Sequence, residues 1–150
     1  MKKIGFFFIY TFLTINLMKY IDVPELFSPI LLFLLKKDEY SLFWIYGLFV
    51  VVLEEGASLL HFGIFFPFLF VQFFIFWSLK VYISSDNIIF DFIYFFILSC
   101  SLHFIVYILS YLQNIYIQGF NVFLYFTLNI FLYFILEFCC FNYEFTKTKN

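Results

Sequence analysis

Residues 88–112 read IIFDFIYFFILSCSLHFIVYILSYL, a run of 25 residues in which most side chains are apolar. A membrane-spanning helix needs about 20 mostly apolar residues, so this stretch predicts a transmembrane helix. The whole chain has the same character: of 150 residues, 65% are hydrophobic and only 12% are charged, and the mean hydropathy is +1.03. A soluble domain has about 25% charged residues, and a soluble fold of this composition would expose far too much apolar surface. We therefore expect lipid to surround most side chains.

Further apolar runs repeat this pattern along the chain. The predicted spans are residues 4–18, 24–35, 41–60, 62–79, 88–112 and 120–141. The second is short, because twelve residues of helix extend only about 18 Å. That length suits a short helix, a locally thinned bilayer or a re-entrant hairpin. The predicted fold is all-α, a polytopic membrane helix bundle of about six transmembrane helices.

The lysines indicate the orientation of the bundle. With six spans and a cytoplasmic N-terminus, seven of the eight lysines are cytoplasmic and only Lys19 lies outside, as the positive-inside rule predicts. If segment 24–35 does not cross, five spans separate the termini, and the better orientation leaves six lysines against two. We therefore predict six spans with both termini cytoplasmic. Residues 1–141 form a single transmembrane domain, and residues 142–150 form a short disordered cytoplasmic tail.

Ionisable side chains inside a span are costly and are functional candidates by default. The adjacent pair Glu54 and Glu55 lies about 20 Å along the third span, and neighbours on a helix point about 100° apart, so we expect one of them to face the interior. His103 lies at the same depth in the fifth span, and we predict a contact between Glu55 and His103. Two alternatives stay open. The third span could end early, leaving both glutamates at the outer interface, and the histidine could bond a backbone carbonyl or a tyrosine.

Catalytic and cofactor chemistry has little support in this sequence. There is no HExxH, no GxSxG and no phosphate-binding glycine loop. Cys100, Cys139 and Cys140 lie in apolar runs without metal-ligand spacing or a disulfide framework. We expect neither enzyme activity nor a cofactor or metal. The composition argues against a nucleic-acid binder and makes membrane lipid the expected surrounding partner.

The segment that follows the first span has a recognisable layout. Residues 23–26, VPEL, place a proline at the head of a short apolar run. In the next span Gly47 lies eight positions before Glu55, Ser58 lies in a small-residue stretch, and Gly63 lies eight positions after the acid. This layout resembles MreD, the small membrane protein of the bacterial rod-shape system.

The resemblance covers residues 24–68, about a third of the chain. That family has one helix, a Pro-led short segment, and then a helix with glycines eight and four positions before an acidic residue. Val51 here replaces the nearer glycine, and Glu55 stands where the family usually has Asp. The remainder of the chain shows only generic apolar helix.

The resemblance implies a non-enzymatic scaffold of the cell-elongation complex in the bacterial cytoplasmic (inner) membrane. Its partners would be an MreC-like protein and, through the complex, the actin-like MreB and the peptidoglycan synthases. Gly47, Glu55, Ser58 and Gly63 would form a packing seam or partner groove, with the acid satisfied inside the bundle.

Two alternatives belong to other classes. The MreD fold resembles the substrate-binding subunit of energy-coupling-factor transporters, in which six helices surround a small-molecule pocket. In such a transporter we expect pairs of small residues four positions apart on the first span, where the ATPase module would dock. Residues 4–18 contain no such pair, which argues against transport. A hydrophobic subunit of another membrane complex fits the composition equally well, without a motif to support it.

Overall fold

The structure, a computed structural model, describes residues 2–21, 23, 25–57, 64–113 and 121–147. Within these ranges the chain forms six helices: α1 (Lys2–Ile21), α2 (Ser28–Lys36), α3 (Tyr40–Ala57), α4 (Phe65–Tyr82), α5 (Ile88–Gln113) and α6 (Val122–Lys147). The predicted all-α fold is confirmed for the described residues.

Three of these helices contain a stretch long and apolar enough to cross a membrane. The stretches are Phe65–Tyr82, Ile88–Leu112 and Val122–Cys139, and α1 contributes a shorter apolar run, Phe7–Ile21. By length and composition, these helices are those of a membrane protein.

The helix at the second predicted span is shorter than the sequence indicates. α2 has nine residues and begins at Ser28, with Pro29 in its first turn, where a missing N–H costs no hydrogen bond. Nine residues extend only about 13.5 Å, less than half the thickness of a bilayer core. Seven of the nine side chains are buried, as expected for a helix that is apolar on every side and lies inside a bundle.

The end of α6 corrects one prediction. The helix continues to Lys147, so residues 142–147, predicted as part of a disordered tail, are helical. No Pro or Gly interrupts this stretch, and extending an existing helix adds one hydrogen bond for each residue fixed. Residues 148–150 of the predicted tail lie outside the described residues.

Aromatic contacts show that consecutive helices from α3 onward run antiparallel. Tyr40 stacks on Trp77 with ring centroids 6.0 Å apart at the start of α3 and the end of α4. Phe76 lies 5.6 Å from Phe90 across the turn between α4 and α5. Phe92 lies 6.2 Å from Phe134 and Phe96 lies 6.1 Å from Phe126, so later positions in α5 contact earlier positions in α6.

α2 occupies the interior of this arrangement. It packs against α3, α4 and α6. Ser28, at its start, lies 3.4 Å from the hydroxyl of Tyr125 in the first half of α6. Lys36, at its end, lies over the ring of Tyr133 at 5.1 Å. α2 and α6 are therefore parallel, and the turns 37–39 and 83–87 lie at the same end of the bundle as the C-terminal half of α6. We call this the lysine end, after Lys36, Lys37 and Lys80.

The turn from α2 into α3 closes with a Schellman motif. The N–H of Asp38 bonds the carbonyl of Leu35 at 3.1 Å, and the N–H of Glu39 bonds the carbonyl of Leu34 at 3.0 Å. Asp38 has φ 55°, a left-handed conformation that Asp tolerates better than most residues. Its carboxylate accepts hydrogen bonds from Tyr40 at 2.5 Å and Lys80 at 3.1 Å. The turn thereby connects α2, α3 and α4.

Large apolar side chains cover the outside of the bundle. Phe12, Val52, Phe74, Phe104 and Phe131 are each more than 60% exposed. In water an apolar surface of this extent would drive association or aggregation. In lipid it is the ordinary outer surface of a helix bundle.

Candidate functional site

The non-helical residues before α2 carry a buried acid. Glu25 is 1% exposed. Its side chain is hydrogen-bonded to residues at the start of α2. One carboxylate oxygen, Oε1, accepts the N–H groups of Phe27 and Ser28, the latter at 2.5 Å. The other, Oε2, accepts the Ser28 hydroxyl at 2.7 Å. The carboxylate thus accepts two backbone N–H groups at the N-terminus of α2, a position that favours negative charge.

Tyr125 from α6 completes this arrangement. Its hydroxyl donates to Oε2 of Glu25 at 2.5 Å. A carboxyl group surrounded by four donors matches the acceptor-only, ionised form of the side chain. Bonds to an ionised acceptor are about twice as strong as neutral ones, so this contact fixes the start of α2 against α6.

α1 joins the same region through two hydroxyl groups. Tyr10 donates to the backbone carbonyl of Leu26 at 3.1 Å, and Thr11 and Tyr46 share a hydrogen bond of 2.8 Å between α1 and α3. Tyr10 lies eleven residues before the end of α1. Leu26 therefore lies alongside α1, at a level between the two ends of that helix.

Two further buried polar side chains lie near Glu25. Glu54 of α3 is 4% exposed, and Tyr94 of α5 is fully buried. Both lie within electrostatic range of Glu25. Among the described residues, neither Oε1 of Glu54 nor the hydroxyl oxygen of Tyr94 has a hydrogen-bond partner. We call Glu25, Ser28, Glu54, Tyr94 and Tyr125 the polar centre.

Two ion pairs lie elsewhere, at the lysine end. Lys36 Nζ lies 2.7 Å from Asp91 Oδ1, and both side chains are at most 10% exposed. Lys80 pairs with the exposed Asp38 at 3.1 Å. The hydrogen bonds from Tyr40 and Lys80 hold the pKa of Asp38 below its usual value.

The structure separates the two glutamates that the sequence singled out. Glu54 is the buried one, whereas Glu55 is partly exposed. His103 has an exposed side chain on α5. The predicted contact between Glu55 and His103 stays a prediction.

The glycine of the motif has a clear packing role. Gly47 is buried, and a Cβ placed on it would lie 2.6 Å from Cδ1 of Leu69, so the Leu69 side chain of α4 fills the space beside this glycine. Ser58 and Gly63, the other two members of the predicted seam, lie outside the described residues.

Sequence reasoning missed the centre of this site. It gave no role to Glu25 or to Asp91. One local signal was present: an acid three residues before Ser28 and four before Pro29 is typical of a helix N-terminus. Nothing local indicated Tyr94 or Tyr125, because each is one of twelve tyrosines in an aromatic-rich chain.

The described residues contain no group of three or more His, Cys, Asp or Glu side chains that could hold a metal ion. What the polar centre offers is two carboxyl groups and several hydroxyl groups in an apolar bundle. Comparison of the chain with protein-family models, with curated proteins and with solved structures gave no match.

Proposed function

We propose that this protein is a non-enzymatic, MreD-like scaffold of the bacterial cell-elongation complex in the cytoplasmic membrane. In this proposal the chain crosses the membrane six times with both termini in the cytoplasm. Its partners are an MreC-like membrane protein and, through the complex, the actin-like and peptidoglycan-synthesis proteins.

The observation that carries the proposal is the position of Gly47. The first glycine of the MreD-like motif lies where α3 meets α4, and a methyl group there would overlap the Leu69 side chain at 2.6 Å. The absence of a side chain at Gly47 leaves room for the Leu69 side chain, and in lipid such packing between helices is a main source of helix association. A packing seam is the role that the resemblance implies for this glycine.

The segment after α1 gives further support. The family layout has a Pro-led short apolar segment at this place, and here it folds as buried non-helical residues followed by the nine-residue α2. α2 alone is too short to cross. In the proposal, the second crossing therefore combines α2 with the buried residues that precede it.

The arrangement of lysines supports the proposed orientation. Lys36, Lys37 and Lys80 share the lysine end, and α6 runs toward that end, where its last described residue is Lys147. The positive-inside rule assigns such an end to the cytoplasm.

Glu55 is the residue we assign to partner contact. It occupies the acidic position of the motif, and its side chain is only partly buried, whereas its neighbour Glu54 faces inward. An ionisable side chain inside a span is a functional candidate by default.

Affinity purification from membranes of the native host tests the proposal. The tagged protein is extracted in mild detergent, and co-purifying proteins are identified by mass spectrometry. We expect MreC-like and peptidoglycan-synthesis proteins with the wild type and several-fold less of them with Glu55→Gln. Gly56→Ala is the matched control, because a Cβ at Gly56 meets nothing within 4 Å. Failure of the wild type to retrieve any elongation protein would contradict the scaffold function.

A second candidate function follows from one observation: the buried Oε1 of Glu54 and hydroxyl of Tyr94 have no hydrogen-bond partner among the described residues. Ligand sites in membrane bundles are built from such inward-facing polar groups. An energy-coupling-factor-type substrate subunit would use them for a small molecule. Recovery of ABC-type ATPases in the same purification would favour this candidate over the scaffold.

A further inference from the structure

The outer face of α5 differs from the outer faces of its two neighbours. Phe74 on α4 and Phe131 on α6 are more than 60% exposed, as suits contact with lipid. The exposed polar residue Thr127 of α6 donates its hydroxyl to a carbonyl of its own helix at 2.7 Å. On α5, by contrast, both Cys100 and His103 are exposed. Ionisable side chains in spanning helices almost always face the interior, so an exposed histidine here marks a contact surface.

His103 lies inside the hydrocarbon region wherever the bilayer is placed along α5. The apolar stretch Ile88–Leu112 has 25 residues and extends about 36 Å, about 6 Å more than a bilayer core. His103 lies nine residues before Leu112, or about 13 Å. It therefore stays at least about 7 Å from the surface of the core, too deep to be explained as a residue of the membrane interface.

The exposed histidine belongs to a continuous strip along α5. Phe96, Cys100, His103, Tyr107 and Ser110 follow one another at intervals of four, three, four and three residues. This is the spacing of the contact positions in paired helices of a coiled coil. Phe96 and Tyr107 are 60% and 68% exposed, and Ser110 is partly exposed. We call these five residues the α5 seam.

The chemistry of the seam suits a second copy of the same chain. In a dimer whose two-fold axis is perpendicular to the membrane, the two α5 helices run parallel, and each seam residue meets its equivalent at the same depth. A neutral imidazole carries one N–H donor and one acceptor nitrogen, so two copies of His103 can form an N–H···N hydrogen bond. A different partner would need its own hydrogen-bonding group at this depth, whereas a second copy supplies one because the sequences are identical.

We propose that this protein forms a symmetric dimer through the α5 seam, with the His103 side chains of the two copies hydrogen-bonded to each other. The dimer places His103 between helices and away from lipid, where hydrogen bonds between helices stabilise association. Cys100 of each copy then lies one turn from the histidine pair. This inference concerns the outer face of α5 and does not depend on the scaffold function.

Disulfide cross-linking of the full-length protein tests the proposal. Cys139→Ser and Cys140→Ser leave Cys100 as the single cysteine of the chain. The purified protein is diluted into phosphatidylethanolamine–phosphatidylglycerol liposomes, and copper phenanthroline with oxygen oxidises pairs of thiols to disulfides. Two cysteines form this bond when their Cα atoms lie within about 7 Å. We expect a covalent dimer that disappears under reducing conditions.

The matched control carries its single cysteine on α1. Phe12→Cys, in a chain that also carries Cys100→Ser, places the thiol at a position that is 69% exposed. We expect this protein to remain monomeric under the same oxidation. Equal cross-linking at both positions would show random encounters in the membrane and would overturn the proposal. Absence of a dimer with Cys100 would also overturn it, leaving the seam to lipid or to a different protein.

The role of His103 has its own measurement. Energy transfer between copies labelled on a C-terminal tag gives the protein density in the membrane at which half of the chains are dimeric. His103→Leu should raise that density by about fivefold, the loss expected for one hydrogen bond between membrane helices. Thr127→Val is the control and should leave the density unchanged, because the Thr127 hydroxyl bonds its own helix. An unchanged density in His103→Leu would overturn the histidine pair.

Discussion

The hydroxyl of Tyr125, near the start of α6, donates a 2.5 Å hydrogen bond to a carboxylate oxygen of Glu25, one hundred residues earlier in the chain. Both residues are almost completely buried. This bond joins the N-terminus of the central helix α2 to the last helix of the bundle. It is the longest-range of the hydrogen bonds that build the polar centre.

Removing that donor should destabilise the protein. Tyr125→Phe leaves a buried carboxylate with one donor fewer, and hydrogen bonds to charged groups contribute about 1.5–3 kcal/mol. Thermal unfolding in detergent, followed by circular dichroism, should show a lower midpoint. Tyr107→Phe, at a 68% exposed tyrosine, serves as control and should change the midpoint little. Equal midpoints for both variants would mean that the bond contributes nothing to stability.

The two buried glutamates should respond differently to amidation. Glu25→Gln places an NH₂ group among four donors, so at least one of them loses its acceptor, at a cost of about 2–4 kcal/mol. Glu54→Gln replaces a side chain whose Oε1 has no described partner, and its effect should be small. Unfolding midpoints of both variants, compared with Glu137→Gln at an exposed position of α6, check this order. The reverse order would contradict the assignment of Glu25 as the acceptor that organises the centre.

The ion pair at the lysine end should show strong coupling. Lys36→Met leaves Asp91 buried without its cation, which typically costs about 3–5 kcal/mol. The double variant with Asp91→Leu removes both charges and should recover much of that loss. A double-mutant cycle from unfolding free energies measures the coupling. Additive effects of the two substitutions would show that the pair acts as two independent side chains.

Asp38 should give the turn a dependence on pH. Hydrogen bonds from Tyr40 and Lys80 lower the pKa of Asp38, so their stabilisation is present above the unfolded pKa and is lost as pH falls through the folded pKa. Asp38→Asn, which keeps the tolerance for the left-handed conformation, should lower the unfolding midpoint at neutral pH and low salt.

The difference between wild type and Asp38→Asn should then disappear in strong acid. Unfolding midpoints measured across acidic to neutral pH check this. A difference that persists unchanged below the folded pKa would point to the turn geometry instead of the charge.

Gly47 and Gly56 form a matched pair on one helix. Gly47→Leu forces a side chain into the space of Leu69, and overpacking of this kind costs about 1–3 kcal/mol or more. Gly56→Leu enters open space and gains helix propensity, so it should be neutral or stabilising. Unfolding midpoints and the yield of monodisperse protein in detergent distinguish them. Equal behaviour of the two variants would contradict a close α3–α4 contact at Gly47.

Prediction from sequence succeeded where the signal was local and strong. The apolar run 88–112 is covered by α5, and the runs at 62–79 and 120–141 correspond to α4 and α6. It was less successful at 24–35, where length alone could not show that only Ser28–Lys36 is helical. It also missed the helical residues 142–147, because polar composition was taken as a sign of disorder.

Within the candidate site, the sequence identified Glu54 as one of two candidates and overlooked Glu25. A helix surface that faces lipid is as apolar as one that faces a neighbouring helix, so hydropathy carries no information about which side is inward. The sequence could say that one of Glu54 and Glu55 points inward. Only the rotation of α3 in the bundle identified Glu54 as that residue.

The amino-acid sequence by itself determined that this protein is helical and suited to lipid, because hydropathy and helix length are properties of continuous stretches. Only the tertiary structure decided which polar groups meet. Glu25, Tyr94 and Tyr125 come from distant parts of the chain, and their proximity depends on the packing and rotation of helices whose surfaces are apolar all round. Such contacts leave no periodic trace in a sequence, since lipid-facing and buried positions use the same side chains.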